Sequence, residues 1–126
     1  MNIITPFLIV SVELSILDRK QNDIRTEQVR KVLQGSPYLF REVNGVYKGI
    51  NERAFIIFWY PDVEQLVQSI AADYKQECYL YIDANRRGTL HSPNGTMITQ
   101  LGTYKLSKER PNTENYTIDN GTYLYF

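Results

Sequence analysis

The sequence has few of the residues that most enzymes use for catalysis or metal binding. Its 126 residues include one cysteine, Cys78, and one histidine, His91. A single cysteine excludes an intramolecular disulfide and a multi-cysteine zinc site. No H-x-x-x-H, C-x-x-C or D-x-D spacing is present to hold a metal, and no Walker or G-x-G-x-x-G motif is present to hold phosphates. We therefore expect any enzyme activity to proceed without a metal, a cofactor, a protein nucleophile or a phosphate-binding loop.

Charge of one sign and long apolar runs are also lacking. The chain carries 14 Lys plus Arg and 14 Asp plus Glu, so no long-range field draws it to nucleic acid or to an anionic membrane. The first residues, MNIITPFLIVSVELS, contain an apolar stretch of only about seven residues, which Ser11 and Glu13 interrupt and no basic residue precedes. We expect neither a signal peptide nor a membrane span there. Together with the single cysteine, this favours a cytoplasmic protein.

What is present is a β-rich pattern with two helices. The second helix is marked by Asp62 as an N-cap, with Gln65 in a capping-box position and apolar residues at helical spacing after it. The order of elements predicts an α+β, ferredoxin-like βαββαβ sandwich, which is an antiparallel sheet with two helices on one face, followed by an extra C-terminal β hairpin. We expect one domain over 1–126. Strands are predicted at 7–14, 38–47, 53–60, 78–83 and 97–105, a first helix within 25–35, and a hairpin over 116–126 with Asn120 and Gly121 at its tip.

The second face of such a sheet must be covered. A neighbouring subunit can cover it, and so can the chain's own C-terminal residues. The ten tyrosines suit either arrangement, because each combines an apolar ring with a polar tip. The sequence leaves both possibilities open.

Glu52 and Arg53 interrupt an apolar pattern in VYKGINERAFII, where a strand is expected to enter the core. One interpretation is an ion pair at the solvated rim of the sheet. The other is a ligand pocket in which Glu52 faces a cation, with the rings of Tyr38 and Tyr47 nearby. Carboxylates and aromatic faces together are how proteins hold onium groups.

Gln76 and Glu77 follow the second helix, directly before a strand. Gln76 suits either a helix C-terminal cap at the surface or a ligand contact. In a ferredoxin-like sheet the junctions that carry Glu52 and Gln76 need not lie at the same end. Within one chain the two residues can therefore be well separated, and a neighbouring subunit is one way to bring them together.

The residues taken in order resemble a known family. A strand with Ser11, a helix ending before Pro37 and Tyr38, the run REVNGVYKGINERAFII, the segment YKQECYLYID, a turn with Leu90 and finally QLGTYKL are similar to the phage S-adenosylmethionine (SAM) lyases, also called SAM hydrolases. The similarity covers 7–105, which is the core of a SAM-lyase-like domain, and leaves 106–126 as a C-terminal β extension. The resemblance implies a ferredoxin-like homotrimer with active sites between subunits.

The resemblance also implies an activity. SAM would be degraded by intramolecular lactone formation to methylthioadenosine and homoserine lactone, which lowers host SAM and so counters restriction-modification. Glu52 would hold the substrate's ammonium group, and Tyr38 and Tyr47 would pack against adenine or the cation. Gln76 would hydrogen-bond a polar edge of the substrate. The remaining substrate-binding residues would be Ser11, Arg53 and Glu77.

Two other readings stay open. A non-catalytic, oligomeric ferredoxin-like protein could bind a nucleotide-like metabolite as a sponge or a regulatory module, because fold does not fix function. A purely structural or protein-binding domain would bind no such ligand. Release of methylthioadenosine from SAM would distinguish the lyase from the metabolite-binding protein and from the structural domain.

Overall fold

Two helices lie where the sequence has apolar residues at helical spacing. The structure of the chain, a computed structural model, describes residues 3–126, and the first two residues of the segment expected to lack a signal peptide lie outside it. Helix α1 (Arg19–Gln34) starts at a capping box, in which the backbone N–H of Gln21 donates to Asp18 Oδ1 over 2.8 Å. Asp62 is the N-cap of helix α2 (Val63–Asp73) as predicted, but its side chain makes no capping hydrogen bond within 3–126, so the predicted capping box is wrong. Neither of the helices in this part of the chain is long and apolar enough to cross a membrane.

Nine strands form one sheet within residues 3–126, in the spatial order β6-β5-β4-β1-β3-β2-β8-β9-β7. Every pair of neighbouring strands is antiparallel. The strands are β1 (Phe7–Ser11), β2 (Phe40–Tyr47), β3 (Ile50–Phe58), β4 (Tyr79–Ile82), β5 (Arg87–His91), β6 (Met97–Thr103), β7 (Lys105–Ser107), β8 (Tyr116–Asp119) and β9 (Thr122–Tyr125).

The sheet curls into a nearly closed barrel. Strands β6 and β7 are its two edges, yet only Tyr104 separates them in the chain. The Cα atoms of Thr103 and Lys105 can lie at most about 7 Å apart, so the two edge strands come close at this junction. The backbone N–H of Tyr104 donates to Arg86 O over 3.0 Å at this junction. Full closure of a sheet removes its exposed edges, and this sheet comes near to that arrangement.

The predicted ferredoxin-like sandwich is therefore wrong. The first six elements occur in the predicted order, and β1 lies between β3 and β4. However, the sheet continues beyond these strands on both sides, and the C-terminal hairpin is part of it, because β8 pairs with β2. That hairpin and its turn at Asn120 and Gly121 were predicted correctly as a local unit. Its pairing with β2 depends on contacts about seventy residues apart in sequence, which local patterns do not encode.

Alternation along the central strands creates two separate cores. On β3, Phe55 and Ile57 point towards the helices, whereas Ala54 and Ile56 point into the barrel. Leu124 of β9 packs inside the barrel against the same residues. The chain's own C-terminal strands therefore cover the second face of the central strands. By the same alternation, Glu52 points into the barrel and Arg53 points towards the helix side.

Candidate active site

A cavity of about 550 Å³ opens in the part of the barrel interior that side chains do not fill. This volume lies within the range of small-molecule sites, about 300–1,000 Å³. The cavity floor is apolar, because five residues belong both to the barrel core and to the cavity wall. These are Ile9, Ala54, Leu80, Leu124 and Phe126.

Glu52 enters the cavity because of the register of the β2–β3 hairpin. Gly45 lies directly opposite Glu52, and Tyr47 lies opposite Ile50. Directly opposite residues of an antiparallel pair project to the same face of the sheet. Gly45 has no side chain, so the space above the Glu52 carboxylate stays open. All four residues line the cavity.

The Glu52 carboxylate lies in an environment that disfavours its charge. Burial is the main cause that raises its pKa, and the carboxylates of Glu13 and Glu77 raise it further. The nearby Ser11 hydroxyl acts in the opposite direction. A cationic group bound in the cavity would relieve this unfavourable charge. The site is therefore suited to a positively charged ligand.

The cavity wall carries more acidic than basic groups. The acidic residues of the wall are Glu13, Glu52, Glu77 and Glu114, and the basic residues are Lys48 and Lys75. No group of three or more His, Cys, Asp or Glu side chains within residues 3–126 is arranged to hold a metal ion.

Gln76 shares the cavity with Glu52 within one chain. Its Nε2 donates to Glu13 O over 3.0 Å and to Tyr74 O over 3.3 Å. The two junctions lie close together within one chain, because the end of β1 runs beside the start of both β3 and β4. Ser11, at the end of β1, and Glu77 also line the cavity.

Arg53 and Tyr38 lie elsewhere. Arg53 Nε donates to Glu13 Oε2 over 2.6 Å on the helix side of β3. Tyr38 packs edge-on against Tyr60, with ring centroids 5.7 Å apart, beside the helix-side core. Neither residue is part of the cavity wall.

Sequence reasoning missed several cavity residues. Glu13 lies two residues beyond the end of β1, where strand alternation no longer applies, and its carboxylate is held by Arg53 instead. Asn115, Tyr116 and Phe126 carried no comparable signal, because their position depends on the pairing of β8 with β2.

The only cysteine and the only histidine of the sequence, Cys78 and His91, are the next candidates for a nucleophile or a base. Burial raises the pKa of the Cys78 thiol, which keeps it protonated at neutral pH. His91 stacks on Tyr79 and hydrogen-bonds to Thr89 Oγ1 and Gly95 O, at 2.8 and 3.1 Å. Cys78 is therefore not an activated nucleophile, and His91 is not part of the cavity wall.

Comparisons with known proteins identify the family of the chain. A comparison with curated proteins finds no matching sequence. A family model described as the S-adenosylmethionine lyase family matches residues 8–126. The match extends from β1 through β9, so it includes the C-terminal segment that the resemblance left out, and it confirms the resemblance. The chain belongs to the S-adenosylmethionine lyase family.

Proposed function

We propose that the protein cleaves SAM by intramolecular ring closure, giving methylthioadenosine and homoserine lactone. Family membership supports a SAM lyase in general terms. The observation that carries the more specific proposal is the Glu52 carboxylate in a barrel cavity with an apolar floor. SAM carries two positive groups, the ammonium and the sulfonium, beside an adenine ring, and such a cavity suits both features.

The proposed reaction needs no bond to the protein. An oxygen of the substrate carboxylate attacks the γ carbon, the bond from that carbon to sulfur breaks, and the electron pair stays on sulfur. The sulfonium becomes a neutral thioether, and the lactone keeps the ammonium group. Holding the chain bent so that oxygen meets carbon can contribute on the order of 7–11 kcal/mol.

Glu52 is assigned to the ammonium group of the substrate. The sulfonium loses its positive charge in the transition state, so a carboxylate that bound it would stabilise the ground state more and slow the reaction. The ammonium keeps its charge throughout. We further assign Tyr47 to the adenine ring or the cation, and Ser11, Gln76 and Glu77 to polar parts of the substrate. Arg53 would act through its neighbours, whereas Tyr38 packs against Tyr60 outside the cavity and is assigned no role.

The test is to replace Glu52 by Gln and to follow the products of SAM by mass spectrometry. We expect the parental protein to release methylthioadenosine and homoserine lactone, and Glu52→Gln to lose at least about 10²-fold in kcat/KM, because substrate orientation depends on this charge. Glu109→Gln is the matched control, since Glu109 is exposed and lies away from the cavity.

Three other outcomes would each lead to a different conclusion. Turnover of Glu52→Gln at the parental rate would remove Glu52 from the site. Bound SAM recovered intact from the parental protein would favour the metabolite sponge. Homoserine formed before any lactone would indicate hydrolysis.

The remaining expectations concern the biological setting. A phage enzyme with this activity would lower host SAM and so counter restriction-modification, and the family resemblance is what supports this role. The homotrimer also stays a prediction. Sedimentation of the purified protein measures the oligomeric state, and a monomer with full activity would refute a site that needs a second subunit.

A further inference from the structure

Arg53 lies directly after Glu52 on β3, on the opposite face of the sheet. Its backbone N–H donates to Glu13 Oε1 over 2.9 Å, and its Nε donates to Glu13 Oε2 over 2.6 Å. Its terminal nitrogen forms an ion pair with Asp23 of α1 at 2.7 Å. Both oxygens of the Glu13 carboxylate are thus held by one residue, and Glu13 is only 9% exposed.

Glu13 in turn fixes residues of the cavity wall. Its carbonyl oxygen accepts from Gln76 Nε2 over 3.0 Å, and its backbone N–H donates to Ser11 Oγ over 3.2 Å. Ser11 Oγ donates back to Arg53 O over 3.0 Å. The hydrogen bonds form a closed path through Arg53, Glu13 and Ser11, with Gln76 attached to it.

We propose that Arg53 is a positioning residue of the SAM lyase site. It holds and neutralises Glu13, and through Glu13 it fixes Ser11 and Gln76 and sets the charge that faces Glu52. The inference rests on the proposed function for its kinetic consequence, but its effect on Glu52 exists without substrate. A buried ion pair that loses one partner leaves an uncompensated charge.

The consequence for Glu52 is electrostatic. The negative charge of Glu13 already raises the pKa of Glu52. Without Arg53 that negative charge would be uncompensated, and the pKa of Glu52 would rise further. The other titratable and charged groups around the cavity stay in place in such a variant. They are Tyr47 and Lys48 on the β2 side, Lys75, Glu77 and Cys78 between α2 and β4, Tyr79 on β4, and Glu114, Tyr116 and Tyr125 on the β8–β9 side.

The test compares Arg53→Met, Arg53→Lys and Arg53→Met/Glu13→Gln by the pH dependence of kcat/KM for SAM. We expect Arg53→Met to lose about 10²-fold, because a displacement near 1 Å can cost that much, and its acid limb to move to higher pH. Arg53→Lys keeps the charge and should keep the parental acid limb. The double variant removes the uncompensated carboxylate and should bring the limb back. Arg41→Met is the control, since Arg41 pairs with Asp119 at 2.6 Å away from the cavity.

The titration of Glu52 in the free protein is the second measurement. Carboxyl-labelled NMR should show a higher Glu52 pKa in Arg53→Met and a lower one in Glu13→Gln, whether or not the protein cleaves SAM. If Arg53→Met does not fold, Glu13→Gln alone decides. An acid limb and a Glu52 titration that do not change in these variants would overturn the proposal. A parental protein without lyase activity that still shows the titration shifts would refute the function and leave the inference standing.

Discussion

Alternation along β3 gives two neighbouring charged residues different surroundings. Glu52 points into the cavity, whereas Arg53 joins an ion-pair network on the helix side. Each of the two interpretations of this pair from the sequence thus describes one of its residues. Within residues 3–126, Glu52 forms no ion pair with an Arg or Lys side chain. In the absence of ligand, its ionised form therefore costs folding free energy.

Replacing Glu52 by Gln should stabilise the free protein at neutral pH. Burial raises the pKa of Glu52 in the folded state above its unfolded value, so this residue supports folding most fully below the unfolded pKa. That contribution is lost as the pH rises through the folded pKa. We expect Glu52→Gln to melt at a higher temperature than the parent near neutral pH, with the difference shrinking in acid. Calorimetry over a pH series measures it, and equal melting temperatures at neutral pH would contradict the burial of this charge.

At the scale of elements, local sequence patterns predicted single helices and hairpins but not which strands pair. Capping and turn residues act over a few positions, and they located α2 and the β8–β9 hairpin. The partner of that hairpin is set by contacts between β2 and β8, far apart in sequence. The site was predictable to the same extent. Tyr47 and Glu52 lie on the β2–β3 hairpin and Gln76 lies just before β4, and local patterns pointed to all three, whereas the C-terminal wall could not be placed.

An ion pair between Arg30 and Glu42 joins α1 to β2. Its contribution to stability changes with pH in the opposite direction to that of Glu52. The guanidinium of Arg30 donates from Nε and a terminal nitrogen to the two Glu42 oxygens, at 2.6 and 2.7 Å. These hydrogen bonds lower the pKa of Glu42. A lowered folded pKa gives stability that is present above the unfolded pKa and is lost as the pH falls through the folded pKa.

Replacing Glu42 by Gln should therefore destabilise the protein near neutral pH. The loss should be about 0.2–1 kcal/mol, because the Glu42 side chain is 38% exposed and water screens the pair. Urea unfolding at neutral and at acid pH measures it, and we expect the difference between variant and parent to disappear in acid. A loss that stays constant down to acid pH would mean that packing, and not charge, joins α1 to β2.

For the whole molecule, closure of the barrel decides whether a cavity exists. Phe126 follows β9, and its ring lies against Gly88 of β5; β9 and β5 are each the second strand from an edge of the sheet. This contact joins the C-terminal residue to β5, and Phe126 forms part of the cavity floor. A side chain at Gly88 would overlap the Phe126 ring and would lie 3.2 Å from Ile82 Cδ1. The absence of a side chain at this position allows the close approach.

Replacing Gly88 by Ala should force the Phe126 ring out of its place and destabilise the protein by about 1–3 kcal/mol, the usual cost of overpacking. Gly35→Ala is the matched control. A Cβ at Gly35 would meet nothing nearer than Lys31 O at 3.6 Å, and Gly35 has a negative φ. We therefore expect the free energy of unfolding of Gly35→Ala to be unchanged or higher by about 0.4–1 kcal/mol. Chemical unfolding measures both variants.

A double-mutant cycle separates closure from local crowding. In a Phe126→Ala background the ring is gone, so Gly88→Ala should cost less than it does in the parent, and the two changes should couple by about 0.5–3 kcal/mol. Because the ring also forms part of the cavity floor, Gly88→Ala should weaken SAM binding together with stability, whereas Gly35→Ala should not. Additive free energies in the cycle would place the cost of the added methyl group at Ile82 instead, and the Phe126 ring would then have no part in holding the two halves of the barrel together.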